Sequence, residues 1–418
     1  MRFLVIGLAL ILTACGGGGG SSPITTTTPI TTTTPVLLTT LTGPPEPAYY
    51  RVINQNTAEF NVVSNYTIGD INGDGLDDVI IGGWTSRETS YFAILIQNPN
   101  GTLTDRTQEL AGTNQYQGGN HTILGDFDRD GYQDIWMPGF NDMCNGCTAN
   151  SQMLWGSASG KFTKQTFDLG INSHGACLAD MNNDGNIDLL VRGQYHSDGD
   201  LSYGYYLNNG NRTFTFVAAR YANGAQTCAV IKDTTTHHVA MLQGSNTADN
   251  HVPGYNSSIN ILDANLNLIK QIGVASQKAS DTDLVNGLAL DVNGDGLQDF
   301  VLVFGGRKEI WLNRGNDDFS YAYTLDSTRM NAYDIQSFSY ENIKYYFFNA
   351  PVGHATLYQF INNQFVEYKR DSLINMATAL GGHVNVNDWS IRAATIYRGS
   401  SGLYMLQDIN GVKYTQKM

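Results

Sequence analysis

The sequence predicts an all-β fold assembled from repeated four-stranded units. Three observations carry that prediction. An acidic frame, D-x-[DN]-x-D-G-x-x-D, occurs at Asp70 to Asp78, Asp126 to Asp134, Asp180 to Asp188 and Asp291 to Asp299. Each copy runs into a short apolar stretch bounded by Gly or Pro (VIIGG, IWMPG, LLVRG, FVLVFGG), the pattern of a short buried strand. Helical periodicity is essentially absent.

The spacing orders the units. The frames start at 70, 126, 180 and 291, so the last interval is close to two repeats and hides a copy. That copy is Cys228 to Asp233 followed by Val239 to Gly244, with the acidic positions lost. Two more fit after 299: Ser337 to Tyr340 with Tyr345 to Phe348, and His383 to Asp388 with Ile391 to Tyr397. This gives seven units, or six if a weak copy is not one. The second unit shows four strands: HTILGDF, YQDIWM, SQMLWG and KFTKQTF. A unit of four strands cannot bury both faces alone and must stack on its copies. Radial repetition of such sheets is a β-propeller, here expected to have seven blades with metal loops in blades 1, 2, 3 and 5.

Oxygen ligands at positions 1, 3, 5 and 9 of the frame, with the peptide oxygen of position 7, can converge on one hard cation. The candidates are Asp70, Asn72, Asp74, Leu76 and Asp78; Asp126, Asp128, Asp130, Tyr132 and Asp134; Asp180, Asn182, Asp184, Asn186 and Asp188; and Asp291, Asn293, Asp295, Leu297 and Asp299. Calcium, which takes six to eight oxygens in a flexible shell, fits best, at about four ions per chain. An EF-hand is excluded: position 12 is Ile81 or Met137 rather than Glu, and the flanks are strands.

These repeats resemble the FG-GAP or VCBS family, the repeat of the integrin α-subunit propeller and of many exported bacterial proteins. The resemblance spans roughly residues 47 to 418. It implies calcium in the loop between the first and second strands, on the lower face, with ligands meeting the upper face. Blades 4, 6 and 7 depart from the acidic frame and are expected to bind no metal.

The N-terminus resembles a bacterial lipoprotein signal. Arg2 precedes an apolar stretch, Phe3 to Leu12, too short to span a membrane, and then Leu12-Thr-Ala-Cys15. That implies residues 1–14 as signal peptide, lipidation of Cys15, and outer-membrane sorting, because Gly rather than Asp follows Cys15. Residues 15–46, Gly-rich and then Thr/Pro-rich, read as a tether with little to bury. The propeller follows over 47–418.

Net charge is −14 with 15% charged residues. Much of the acidity sits in the metal loops, and no Lys/Arg cluster supports nucleic-acid binding. Besides Cys15 there are Cys144, Cys147, Cys177 and Cys228. An even set in an oxidising compartment suggests disulfides. Cys177 and Cys228 fall on innermost strands of adjacent blades with matching parity, so one bridge can staple blade 3 to blade 4. Cys144 and Cys147 then close on themselves; a zinc or redox C-x-x-C is the rival reading.

Connections between second and third strands are long in blades 1 to 4: Trp84 to Ser90, Phe140 to Ser151, Gln194 to Ser202 and Ser245 to Ser257. Such loops on a rigid scaffold are where recognition residues concentrate. They carry Trp84, Phe140, Tyr195, His196, His251 and Tyr255 as candidate ligand contacts, against the bland reading of solvated loops. His121, His174 and His383, five or six residues before Asp126, Asp180 and Asp388, match Asn65 and Asn286 before Asp70 and Asp291. They are expected to ring the channel mouth as polar caps, or as a metal or acid–base site. The expected function is a membrane-tethered, calcium-stabilised binding module for a protein or glycan at the cell envelope. The alternative is an exported polysaccharide lyase or hydrolase using the channel histidines, against which stands the absence of G-x-S-x-G and H-E-x-x-H motifs.

Overall fold

The computed structural model describes residues 50–51 and, between 62 and 417, all but 85–89, 117–121, 140–149, 168–171, 195–203, 219–228, 234–235, 244–256, 275–283, 305–306, 326–333, 341, 350–355, 363, 368–393 and 410–411. The described strands form seven antiparallel sheets. A first short strand, β1 (Tyr50–Arg51), precedes them. Sheet I runs β2 (Val62–Gly69), β3 (Asp78–Trp84), β4 (Ser90–Gln97) and β5 (Leu103–Asp105), with β6 (Gln115–Tyr116) added on β4. Sheet II holds β7 (Ile123–Gly125), β8 (Asp134–Met137), β9 (Ser151–Trp155) and β10 (Thr163–Phe167). Sheet III holds β11 (Asn172–Ala179), β12 (Asp188–Gln194), β13 (Gly204–Asn208) and β14 (Phe214–Ala218). Sheet IV holds β15 (Val230–Lys232), β16 (Val239–Gln243), β17 (Ser257–Leu262) and β18 (Leu268–Val274). Sheet V holds β19 (Leu284–Leu290), β20 (Asp299–Phe304), β21 (Arg307–Gly315) and β22 (Asp318–Leu325). Sheet VI holds β23 (Asp334–Tyr340), β24 (Ile343–Asn349), β25 (Thr356–Ile361) and β26 (Gln364–Glu367).

The protein is therefore an all-β propeller of four-stranded blades, and one expectation needs correcting. Six blades, not seven, are continuous in sequence. The last sheet is composite: β27 (Ala394–Gly399), β28 (Gly402–Ile409) and β29 (Val412–Lys417) from the C-terminal end are completed by β1, with Tyr50 opposite Thr415. Its strand β27 overlaps Ile391 to Tyr397 and pairs with β28; His383 to Asp388 lie outside the described residues. A repeat frame read along the sequence assigns every strand to its chain neighbours. It cannot see a sheet shared between the two ends.

The core lies between sheets, where a strand side chain must leave water. Ile80, Ile94 and Ile96 of sheet I pack on Ile135, Met137 and Leu154 of sheet II. Trp136, Met153 and Trp155 meet Leu189 and Tyr206 of sheet III. Ile231, Leu242 and Ile261 of sheet IV meet Phe300, Leu302 and Phe304 of sheet V. Tyr397, Tyr404 and Leu406 of the composite sheet pack on Val79, Ile81 and Leu95 of sheet I, which joins the chain's ends. Second strands are apolar on both faces because both are covered: Asp299–Phe304 is buried at every position. One helix, α1 (Thr107–Ala111), interrupts the strand pattern among the described residues. The Thr107 hydroxyl accepts the Ile94 N–H at 2.8 Å, so this single turn covers the edge of β4 that β5 leaves open.

Candidate functional site

Each acidic frame forms the connection from the first to the second strand of its sheet. The four loops repeat one hydrogen-bond plan. At position 1, Asp70 accepts the N–H groups of Gly73, Asp74 and Gly75 at 2.7, 3.0 and 2.8 Å. Asp126 accepts those of Asp130 and Gly131, Asp180 those of Asp184 and Gly185, and Asp291 those of Gly294 and Gly296. At position 5, each Asp accepts the N–H of position 7, as Asp74 does from Leu76 at 2.8 Å. Tyr132, Asn186 and Leu297 donate likewise to Asp130, Asp184 and Asp295. At position 3, Asn72 accepts the Asp74 N–H and donates its amide to the Asp74 carboxylate. Asn182 and Asn293 do the same, whereas Asp128 accepts the Asp130 N–H at 3.3 Å and has no amide to give.

The tight turn needs two left-handed residues. Position 6 is Gly in every copy, with φ between 84° and 90°. Position 4 is also left-handed: Gly73 and Gly294 at 77° and 78°, but Arg129 and Asn183 at 62°. A β-carbon in this region is strained, least so for Asn. Arg129→Gly is therefore expected to raise stability by about 0.5–1 kcal/mol, read by denaturant unfolding.

Position 9 is the part of the frame that sequence reasoning described least well. Asp78, Asp134, Asp188 and Asp299 are all fully buried. One oxygen of each accepts the N–H of position 2 in its own loop: Ile71, Phe127, Met181 or Val292, at 2.7–2.9 Å. The other accepts an N–H where the third strand ends: Gln97, Gly156, Asn208 or Asn313, at 2.7–2.8 Å. Each is thus a clamp tying loop to sheet before any ligand is considered. Burial pushes these carboxyls up, to about 6 at Asp78 and Asp188 and about 7 at Asp134, against the lowering effect of the two N–H donors. Asp299 is raised for the same reason. Position 2, a chemically silent "x" in the frame, buries Ile71, Phe127, Met181 and Val292 between sheets.

Carboxylate oxygens of Asp126, Asp128 and Asp130 lie within 4.8 Å of one another. Position 3 is Asn in the other loops, so they place fewer carboxylates at the tip. The donor set throughout is hard oxygen, the chemistry that suits calcium or magnesium rather than zinc.

Cationic side chains from neighbouring sheets meet all four loops, three at a carboxylate and one, Lys344, at the Asp291 peptide oxygen, and nothing in the repeat frame announced them. Arg212, in the β13–β14 turn, reaches Asp128 with Nε at 2.7 Å and Nη2 at 2.6 Å, and lies 3.8 Å from Asp130. Lys232, the last residue of β15, donates to the Asp180 carboxylate. Arg398 of β27 holds Asp77, position 8 of the first loop, through Nε at 2.9 Å and Nη2 at 2.7 Å, while its own N–H also donates to Asp77. In sheet IV the frame is replaced by a shorter turn in which Asp233 caps Thr236 and His238 meets Asp317 of sheet V at 2.8 Å.

The candidate recognition residues lie elsewhere. Antiparallel alternation puts the second-to-third connections at the opposite end of each sheet from the acidic loops. Trp84 ends β3 there, opposite Val62. Phe140, Tyr195, His196, His251, Tyr255, His121 and His383 lie outside the described residues. His174 is described, and its slot differs from the one the spacing suggested. The β11 register skips it between Ser173 and Gly175, as it skips Ser64 in β2 and Val285 in β19. His174 is a β-bulge residue equivalent to Ser64 and Val285, one place before the slot of Asn65 and Asn286. The count back shows it: His174, Ser64 and Val285 stand six residues before position 1 and Asn65 and Asn286 five, and the extra residue of a bulge makes these two places different slots. Cys177 is disulfide-bonded; Cys15, Cys144, Cys147 and Cys228 lie outside the described residues.

No curated protein matches the chain in sequence. A solved structure described as the basis of specific recognition of non-reducing terminal N-acetylglucosamine by an Agrocybe aegerita lectin is similar over 73% of this chain and 80% of that one, at 15% identity and a TM-score of 0.41. That likeness is too loose to assign a ligand. A family model for the FG-GAP-like repeat matches residues 70–137, from the first acidic loop through the strand after the second. Residues 70–137 thus match the FG-GAP-like repeat, and the described chain is a β-propeller of four-stranded sheets in which four acidic loops share one plan.

Proposed function

We propose that the protein is a binding module: a calcium-stabilised propeller, tethered to a membrane through lipidated Cys15 and the 15–46 stalk, that docks a protein or glycan on the face opposite its acidic loops. The observation that carries the calcium part is the repeated loop geometry. Position 1 and position 5 carboxylates are held by backbone N–H groups at one tip, and three carboxylates converge in the second loop. When bound, calcium would neutralise that convergence and crosslink the ends of two strands. Its holders would be Asp70, Asn72, Asp74 and Leu76 and their counterparts in the other three loops. The buried position 9 carboxylates keep a second acceptor direction on each oxygen.

Topology supports this docking face: with the acidic loops at one end, the second-to-third connections of sheets I to IV leave from the other. Trp84, Phe140, Tyr195, His196, His251 and Tyr255 are its contacts in this reading, with His121, His174 and His383 nearer the axis. A bridge from Cys177 to Cys228 would fix sheet III to sheet IV beneath two of these loops. The test is a glycan and cell-surface-protein array probed with the mature chain in calcium and in EDTA. A hit that weakens in EDTA and is lost on Trp84→Ala or Tyr195→Ala is expected. Folded, calcium-loaded protein that binds nothing would move the reading to the exported enzyme.

A further inference from the structure

The four acidic loops share a backbone but not an electrostatic setting. In the first and fifth sheets, the tip carboxylates Asp70, Asp74, Asp291 and Asp295 accept backbone N–H groups and the Asn72 or Asn293 amide. Among the described residues, no side-chain cation reaches those four carboxylates. Lys344 donates instead to the Asp291 peptide oxygen at 2.5 Å.

The second and third loops differ. Asp128, only 8% exposed, holds the Arg212 guanidinium, and Asp180 holds the Lys232 ammonium. Neither cation is a loose surface charge. Arg212 lies 5.0 Å over the Trp155 ring, Trp155 donates to Gln165 at 2.7 Å, and the Gln165 amide donates to the Arg212 peptide oxygen at 3.3 Å. Lys232 is fixed on a strand, 21% exposed, in sheet IV, which has lost the acidic frame. In both cases the next sheet in the chain supplies the charge to the loop before it.

We infer that Arg212 and Lys232 are resident counter-cations that divide the loops into two classes. The loops of sheets I and V bind calcium tightly, because no described side-chain cation contacts their ligand carboxylates: Arg398 engages Asp77, outside the ligand positions, and Lys344 a peptide oxygen. Those of sheets II and III bind it more weakly, because the ion must displace or repel a cation already in contact with a ligand oxygen. In return, those two loops keep their fold when calcium is scarce. This rests on the reading that the acidic loops bind calcium.

The test is calorimetric titration of the calcium-stripped full chain, wild type against Arg212→Ala and Lys232→Met. Wild type is expected to show two tighter and two weaker sites. Removing one charge in contact with a ligand should strengthen the weaker class by about tenfold or more at one site. The same variants should melt lower than wild type in EDTA. Four equivalent wild-type sites, or affinities unchanged in both variants, would overturn the inference and leave the calcium reading standing. A wild-type chain that binds no calcium would overturn both. If a charge-removing variant does not fold, Lys232→Arg, which keeps the charge, and the wild-type site classes decide: Lys232→Arg should leave the weaker class weak.

Discussion

Asp134→Ala is expected to destabilise the protein by about 2–5 kcal/mol, the largest effect of any single change in the acidic frame. The side chain is fully buried and accepts two backbone N–H groups, from Phe127 at 2.8 Å and from Gly156 at 2.7 Å. Truncation leaves both donors in a site without water. Each buried orphan costs about 1–3 kcal/mol. Asp134→Asn keeps one acceptor and turns its amide against the other donor, so about half the loss is expected. By contrast, Asp130→Ala removes an exposed carboxylate that accepts the Tyr132 N–H, which water can satisfy instead. Urea unfolding in EDTA ranks the three. Equal losses for Asp130→Ala and Asp134→Ala would show that the position 9 carboxylate is a ligand alone and not a clamp.

Gly101→Ala is expected to cost more than about 2 kcal/mol, through the junction of the chain's two ends. Gly101 sits in the turn after β4 with φ of 85°. A β-carbon there would fall 1.9 Å from Tyr404 of the composite sheet. The peptide oxygen of Gly101 also accepts the Tyr397 hydroxyl at 2.9 Å, and the rings of Tyr397 and Tyr404 stack 5.5 Å apart. The added methyl therefore meets backbone strain and overpacking together, each worth about 1–3 kcal/mol. Gly112→Ala is the control: φ is 69°, nothing lies within 4 Å, and strain acts alone. A loss at Gly101 no larger than at Gly112 would mean that the turn is not wedged against Tyr404.

What was legible in the sequence follows from what its pattern encodes. Asp-rich frames and β-branched runs announce loops and buried strands directly, so the four-stranded units and their order are readable, down to the degenerate copy at Val230 and Val239. The composite sheet was not, because β1 shares no motif with β29 and pairs with it across nearly the whole chain. Within the loops, the carboxylates at positions 1, 3 and 5 stand out, but the frame cannot say that position 9 is buried and doubly bonded. Its second donor lies up to 22 residues on, at or just past the end of the third strand, and is Gln97, Gly156, Asn208 or Asn313, with no one residue type in all four. Arg212, Lys232 and Arg398 were invisible for the same reason. Each acts on a loop in another sheet, so its role is set by three-dimensional adjacency. The apolar residue at position 2 had a readable signal, four hydrophobic side chains in an acidic loop, and it marks the core beneath each tip.

The most direct measurement is thermal unfolding of the protein in 1 mM calcium and in EDTA. If the loops bind calcium in the folded state alone, each site adds RT ln(1 + [L]/Kd), about 2.7 kcal/mol when calcium is a hundredfold above Kd. The melting temperature should then rise with calcium and keep rising with its logarithm. A melting temperature that is the same in calcium and in EDTA would contradict the account.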